Sequence, residues 1–232
     1  MLKDKVIVIT GASGGMGQAL CRYLAREGAV LALAGTNAEK LNALQEELIQ
    51  ADCRVVSCVV DVTREEQVRT FVENAAASFG KMDALVNLAG VSIPGKIAET
   101  EEETFDRMLD VNLKGTYLMC KHFVPHAGEN ARIINLGSMA ARRTNGNAPL
   151  YCVAKSAVNT FSQGLALQVA AQGIHVTTLN PGGADTPFWG DRSVKREKML
   201  KAEDIVDVIA FVLNAHPRMA IHSIDFESIA MV

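Results

Sequence analysis

Aromatic residues are scarce in this sequence: one Trp, three Tyr and eight Phe among 232 residues. Glycine is plentiful by comparison, at 18, and about 49% of the chain is apolar. That mixture excludes a disordered or fibrous chain and suits a sheet packed between helices. An excess of either charge is also missing. The net charge is −3 and the basic residues are scattered rather than striped, which argues against a nucleic-acid partner. No run approaches the roughly 20 apolar residues that span a bilayer, so no membrane partner is expected. The start, Met1-Leu2-Lys3-Asp4-Lys5, leads only into a short apolar run, without the length or cleavage site of a signal peptide. The five cysteines, Cys21, Cys53, Cys58, Cys120 and Cys152, are odd in number and lack CxxC spacing. Reduced thiols in the cytoplasm are the expectation. Metal ligands are sparse too. His122 and His126 stand four apart, but Pro125 interrupts them and no third ligand is apparent, so no metal is expected.

What the sequence does have is a rhythm. Val6-Ile7-Val8-Ile9 lacks the alternation of a half-exposed strand and reads as a strand buried on both faces. Apolar residues then recur at helical spacing from Met16 to Glu27. The cycle continues with a strand Val30–Ala34, helix Ala38–Gln50, strand Arg54–Val60, helix Arg64–Phe79 and strand Ala84–Asn87. Next come one helix from about Glu101 to Val124, strand Arg132–Leu136, helix Leu150–Gln172 and strand His175–Leu179. Such alternation predicts an α/β fold: one doubly wound parallel sheet with helices on both faces, joined by right-handed crossovers. No composition shift marks a second domain, so residues 1–232 read as one. The segment from Pro181 to about Lys201 breaks the rhythm with Gly, Pro and charge, before a helix Glu203–Leu213 and a last strand Ile221–Ile229. A loop that long in a compact domain predicts a substrate lid at about 183–201.

The chemistry-bearing motifs all fall at strand ends, where ligands of such sheets bind. Thr10-Gly11-Ala12-Ser13-Gly14-Gly15-Met16-Gly17 joins the first strand to the first helix. Glycines there let the backbone turn tightly and approach a pyrophosphate, which sits against free helix N–H groups. Tyr151 and Lys155 stand four apart on one helix, so both project from one face. An ammonium beside a phenol favours the phenolate, which fits Tyr151 as a general acid or base. Asn112 occupies a mid-helix position where its competition for backbone hydrogen bonds is unfavourable. Asp61 ends the third strand and could help start the next helix. Thr63 and Glu66 form a capping-box pattern that would leave it free.

Thr-Gly-x-x-x-Gly-x-Gly, the later Asn87-Leu88-Ala89-Gly90 and Tyr151-x-x-x-Lys155 together resemble the classical short-chain dehydrogenases/reductases. The resemblance covers nearly the whole chain, with Leu88 standing where the family has a second Asn. It implies a catalytic tetrad of Asn112, Ser138, Tyr151 and Lys155. Ser138 would bond the substrate oxygen, Lys155 would also hold the nicotinamide ribose, and Asn112 would distort its helix to admit a water reaching Lys155. The resemblance also implies cofactor contacts from Gly11, Ser13, Gly15, Met16 and Gly17, and from Thr36 and Asn37. Asp61 and Val62 would meet the adenine, Asn87, Ala89 and Gly90 would line the cleft, and Pro181, Gly182 and Thr186 would meet the nicotinamide.

The activity so implied is transfer of a hydride between NAD(P) and a small carbonyl or alcohol substrate. A cofactor-binding regulator without turnover and a lyase or epimerase on the same scaffold are the alternatives. NADP is favoured over NAD because Ala34-Gly35-Thr36-Asn37 carries no acid to bind the ribose hydroxyls and repel a phosphate. The Arg142-Arg143 pair suggests help for an anionic substrate, with a solvated loop pair as the plainer reading. The apolar faces of Glu101–Val124 and Tyr151–Gln172 exceed what one core needs, and the resemblance implies a homodimer or homotetramer, since the family's equivalent helices build such assemblies. The last strand, without Val-Asp-Gly-Gly, is similar to the shorter end of NADP-dependent reductases of small aldehydes and hydroxy acids.

Overall fold

The computed structural model describes residues 2–232. Seven strands form one parallel sheet: β1 (Val6–Thr10), β2 (Val30–Gly35), β3 (Val55–Val59), β4 (Met82–Asn87), β5 (Ala127–Leu136), β6 (His175–Pro181) and β7 (Ser223–Phe226). Their order across the sheet is β3-β2-β1-β4-β5-β6-β7. Ile7, Ile9, Leu31 and Leu33 point to one face, where they pack on helices α1 (Gly15–Arg26), α2 (Ala38–Gln50) and α7 (Ala202–Asn214). Val6, Val8, Val30 and Ala32 point to the other, onto α3 (Glu65–Phe79), α5 (Gly115–Phe123) and α6 (Pro149–Val169). Side chains alternate across a strand, so a strand covered on both faces must be apolar at every position. All five residues of β1 are buried. Among the described residues no helix is long and apolar enough to cross a membrane.

Three local expectations need correction. The helix over Glu101–Val124 is not continuous: α4 (Glu102–Leu109) passes through a π turn at Asp110–Lys114 into α5. Thr63 and Glu66 form no capping box. Arg64 is the N-cap of α3, without a side-chain bond, and Glu66 pairs with Arg69. Thr63 instead donates its N–H and hydroxyl to Asp61 Oδ1, at 2.9 and 2.8 Å, so Asp61 is engaged rather than free. The last strand covers only Ser223–Phe226 within the expected range.

Candidate active site

The strand order reverses between β1 and β4, and the crevice at such a switch point lies beyond their carboxyl ends. Gly11 leaves β1 with φ +67°, and a Cβ there would lie 2.8 Å from the Ala89 nitrogen, so the loops after the two strands touch. A Cβ on Gly17 would meet the Gly11 carbonyl at 2.3 Å, which fixes how closely α1 approaches the turn. Gly14 caps α1 without a side chain, and no acid occupies its first turn. The helix therefore presents its positive end and open N–H groups.

An elongated cavity of about 600 Å³ runs along this edge, lined by Gly11, Ser13, Gly15, Met16, Gly17, Thr36, Asp61, Val62, Ala89 and Gly90. Its close backbone and open helix terminus fit a dinucleotide. Asn37 and Asn87, expected in the same set, do not line it. Asn37 turns back to accept the Lys40 N–H at 2.9 Å as cap of α2. Asn87 is buried in the sheet, donating to Asn135 at 2.9 Å, and Asn135 donates to Ser162 at 2.9 Å. It braces β4 and β5 beneath the cleft.

A second cavity of about 990 Å³ opens beside the first. Met16, Leu88, Gly90, Thr186 and Phe188 line both, and mark where they meet. Ser138, Tyr151, Lys155, Pro181 and Gly182 lie on the second cavity's wall. Ser138 ends the turn after β5, with its hydroxyl accepting the Ala140 N–H at 3.1 Å. Lys155 is 3% exposed and donates to the Leu136 carbonyl at 2.8 Å. Its Nζ lies 5.7 Å from the Tyr151 ring centre. Burial pushes the Tyr151 phenol up to about 12, against a smaller lowering by the Ser138 hydroxyl and the Arg192 charge. Burial also brings the Lys155 ammonium down to about 8. The expected lowering of the phenol by Lys155 is therefore not present in this arrangement. Burial dominates both groups.

Asn112 sits in the π turn. Its amide donates to the carbonyls of Met108 and Val91, at 2.8 and 2.9 Å, and its Oδ1 accepts the Val91 N–H at 3.3 Å. It stitches the turn to the segment after β4. A Cβ on Gly90 would lie 2.8 Å from Asn112 Oδ1 and 3.4 Å from Lys155 Nζ, so only glycine keeps these two side chains close across it.

Further neighbours brace the site, and Asn159 among them lies outside the motifs. Asn180 Oδ1 accepts the Ser138 N–H at 3.0 Å and an amide N–H of Asn159 at 2.9 Å. Its own amide donates to Asn159 at 3.1 Å and to Asp225 at 2.8 Å. Asn159 lies one turn beyond Lys155, a spacing that pointed to it. Leu88, the departure from the family's Asn pair, lines both cavities. Arg142 turns away to Asp225 at 2.9 Å, and Arg143, on the cavity wall, pairs with Glu227. Neither arginine of the pair is left without an acid.

Residues 183–201 cover the junction of the cavities. A Cβ on Gly15 would meet Pro187 Cδ at 2.9 Å, which brings this segment onto the glycine turn. The Phe188 ring centre is 6.2 Å from that of Tyr151. Arg196 holds the segment together, donating to Asp185 at 2.8 Å and to the Gly190 carbonyl at 2.9 Å.

The family model for short chain dehydrogenases matches residues 5–197. An uncharacterized oxidoreductase of Staphylococcus aureus is 33% identical over 226 residues, covering 97% of both chains. Among solved structures, an alcohol dehydrogenase from Thermococcus sibiricus complexed with 5-hydroxy-NADP superposes with a TM-score of 0.90 at 28% identity, covering 98% of each chain. A short chain dehydrogenase from Burkholderia cenocepacia in complex with NADP gives 0.89 at 29% identity, covering 97% of each. Whole-length likeness, the doubly wound sheet and the paired cavities lead to one statement: the chain belongs to the short-chain dehydrogenase family and is an NAD(P)-dependent oxidoreductase.

Proposed function

We propose that the protein is an NADP-dependent reductase of small carbonyl compounds, running as an alcohol dehydrogenase in reverse, with Tyr151 as its proton-transfer residue. The observation that carries this reading is the meeting of the two cavities beside Tyr151, Ser138 and Lys155. The nicotinamide, when bound, supplies or accepts the hydride. Tyr151, with a phenol near 12, stays protonated through the neutral range and donates its proton to the carbonyl oxygen. Ser138 hydrogen-bonds the same oxygen and fixes its position. Lys155 moves from the Leu136 carbonyl to the nicotinamide ribose, and its charge then steadies the phenolate left behind. Asn112, across Gly90 from that lysine, supports the water path that returns the proton. Residues 183–201 act as the lid of this site.

The preference for NADP rests on the turn after β2. The carboxylates lining the long cavity are Asp61, Glu103, Asp106 and Asp110, and none comes from the turn Gly35–Asn37, where a ribose acid would stand. Thr36, from the same turn, lines the cavity and has a hydroxyl that can donate to a phosphate. Two of the solved relatives carry an NADP-type ligand. Catalytic efficiency measured with a panel of small aldehydes should be higher with NADPH than with NADH. A preference of more than tenfold for NADH would overturn the assignment.

The same reading makes the protein a cytoplasmic homo-oligomer. Its five cysteines are free thiols, four of them buried, in keeping with a reducing compartment. Its helices α5 and α6 leave apolar side chains exposed for self-association.

A further inference from the structure

Besides Lys155, three cations line the substrate cavity: Lys96, Arg143 and Arg192. Lys96 pairs with Glu99 at 3.0 Å, and Arg143 pairs with Glu227. Arg192 has no carboxylate within ion-pair distance among the described residues. It is nonetheless held. Its Nε donates to the Trp189 carbonyl at 2.8 Å and a terminal nitrogen donates to the Phe188 carbonyl. The guanidinium carbon stands 4.9 Å from the Trp189 ring centre and 5.2 Å from that of Phe188. A guanidinium has five N–H donors in a planar fork, so these two bonds leave donors over.

We propose that Arg192 is a specificity residue that anchors a substrate carboxylate, so that the preferred substrates are short oxo acids and the corresponding hydroxy acids. The inference rests on the reading of Tyr151 as proton donor and extends it to the substrate's other end. Arg192 and Tyr151 both lie against Phe188, whose ring also marks the junction with the cofactor cavity. The Arg192 charge reaches the phenol, where it opposes the effect of burial. A carboxylate on Arg192 thus leaves the substrate's carbonyl end near Ser138 and Tyr151. In the reaction, the carbonyl carbon gains a hydride from NADPH, its oxygen gains the Tyr151 proton, and NADP⁺ and the hydroxy acid are formed. The carboxylate is unchanged. Because the main-chain bonds and two rings already fix the guanidinium, little side-chain freedom is lost on binding. The apolar rings beneath it strengthen a charge-assisted bond relative to one in water.

Trp189 is the sole tryptophan, so its fluorescence reports on this position directly. The test titrates the full chain, loaded with NADP⁺, with short oxo acids and with their methyl esters, following Trp189. Steady-state reduction with NADPH is measured on the same pairs. The acids should bind about tenfold or more tightly than the esters, the range of a charge-assisted hydrogen bond. Arg192→Gln keeps N–H donors for the lid carbonyls but removes the charge. It should erase the acid's advantage over the ester in affinity and KM. Equal affinity for acids and esters in the unaltered chain would overturn the proposal, as would equal losses for both in Arg192→Gln. Acid-selective, Arg192-dependent binding without turnover would support the anchor and contradict the role given to Tyr151.

Discussion

Lys155 carries its ammonium into the protein, where it donates to the Leu136 carbonyl, and burial holds its pKa at about 8 instead of 10.5. Between those values the unfolded chain binds the proton that the folded chain lacks. Stability from this group therefore rises with pH across that window, and its cost is full below about 8. Tyr151 acts in the opposite sense, favouring the fold until pH rises from 10 toward about 12. Lys155→Met should thus stabilise the protein at pH 7 by about 1–2 kcal/mol, after the loss of the bond to Leu136, while abolishing turnover. The gain should shrink as pH approaches 10.5. Thermal melts from pH 7 to 10 check this, and a variant less stable than the parent at pH 7 would contradict it. Tyr151 and Lys155 were legible because a four-residue helical spacing puts them on one face whatever the tertiary detail. Their protonation was not, because it follows from how deeply the surrounding fold buries them. Arg192 was equally hidden, since its value depends on which acids the fold brings near it.

At the scale of elements, the π turn at Asp110–Lys114 shows what periodicity can and cannot convey. Apolar spacing continues on both sides of it, so the sequence reads as one helix, and Asn112 was the only sign of a defect. Its amide takes the Met108 carbonyl four residues back and the Val91 carbonyl, satisfying polar groups of the irregular turn. The turn after β5 shows a second dependence. Ser138 is held by the Asn180 side chain, and Gly137 exists to admit that contact: a Cβ there would lie 2.0 Å from Asn180 Oδ1. Gly137→Ala should push Asn180 off the Ser138 N–H and lower turnover by about 10²-fold, the cost of misplacing a reacting group by about 1 Å. NADPH affinity should hold, because the glycine turn and the end of β4 are untouched. Steady-state kinetics beside a cofactor titration separates these effects, and unimpaired turnover would sink the argument. The pairing of Asn180 with β7 through Asp225 could not be read from the motifs, since it joins residues 45 apart in the chain.

For the whole molecule, the doubly wound sheet was legible because central strands covered on both faces must be apolar at successive positions, as Val6–Ile9 of β1 and Val30–Ala34 of β2 are. The substrate pocket was not. Its walls come from the segment after β4, the turn after β5, residues 181–194 and the C-terminal residues Glu227 and Met231, and no local pattern relates these. The quaternary expectation does have a local signature. Val153, Ala157, Thr160, Gly164 and Leu167 form one stripe on α6, with Val153 54% and Leu167 84% exposed. Ala157, Thr160 and Phe161 border a shallow hollow with Leu113 of the π turn and Tyr117 of α5. Light scattering after size exclusion should find a dimer or larger assembly. Combining Val153→Glu with Leu167→Glu should give monomers that keep their circular dichroism. A monomeric parent at micromolar concentration would contradict self-association through this face.

The Tyr151 phenol stands on the wall of the larger cavity, beside Phe188 at its junction with the smaller one. Tyr151→Phe removes its hydroxyl and keeps its ring, so packing against Phe188 and the cofactor cavity should persist. Turnover of the best carbonyl substrate with NADPH should fall by about 10²–10⁴, the usual contribution of a positioned general acid, with NADPH affinity and fold unchanged. A Tyr151→Phe variant that kept most of the parent's turnover would contradict the mechanism.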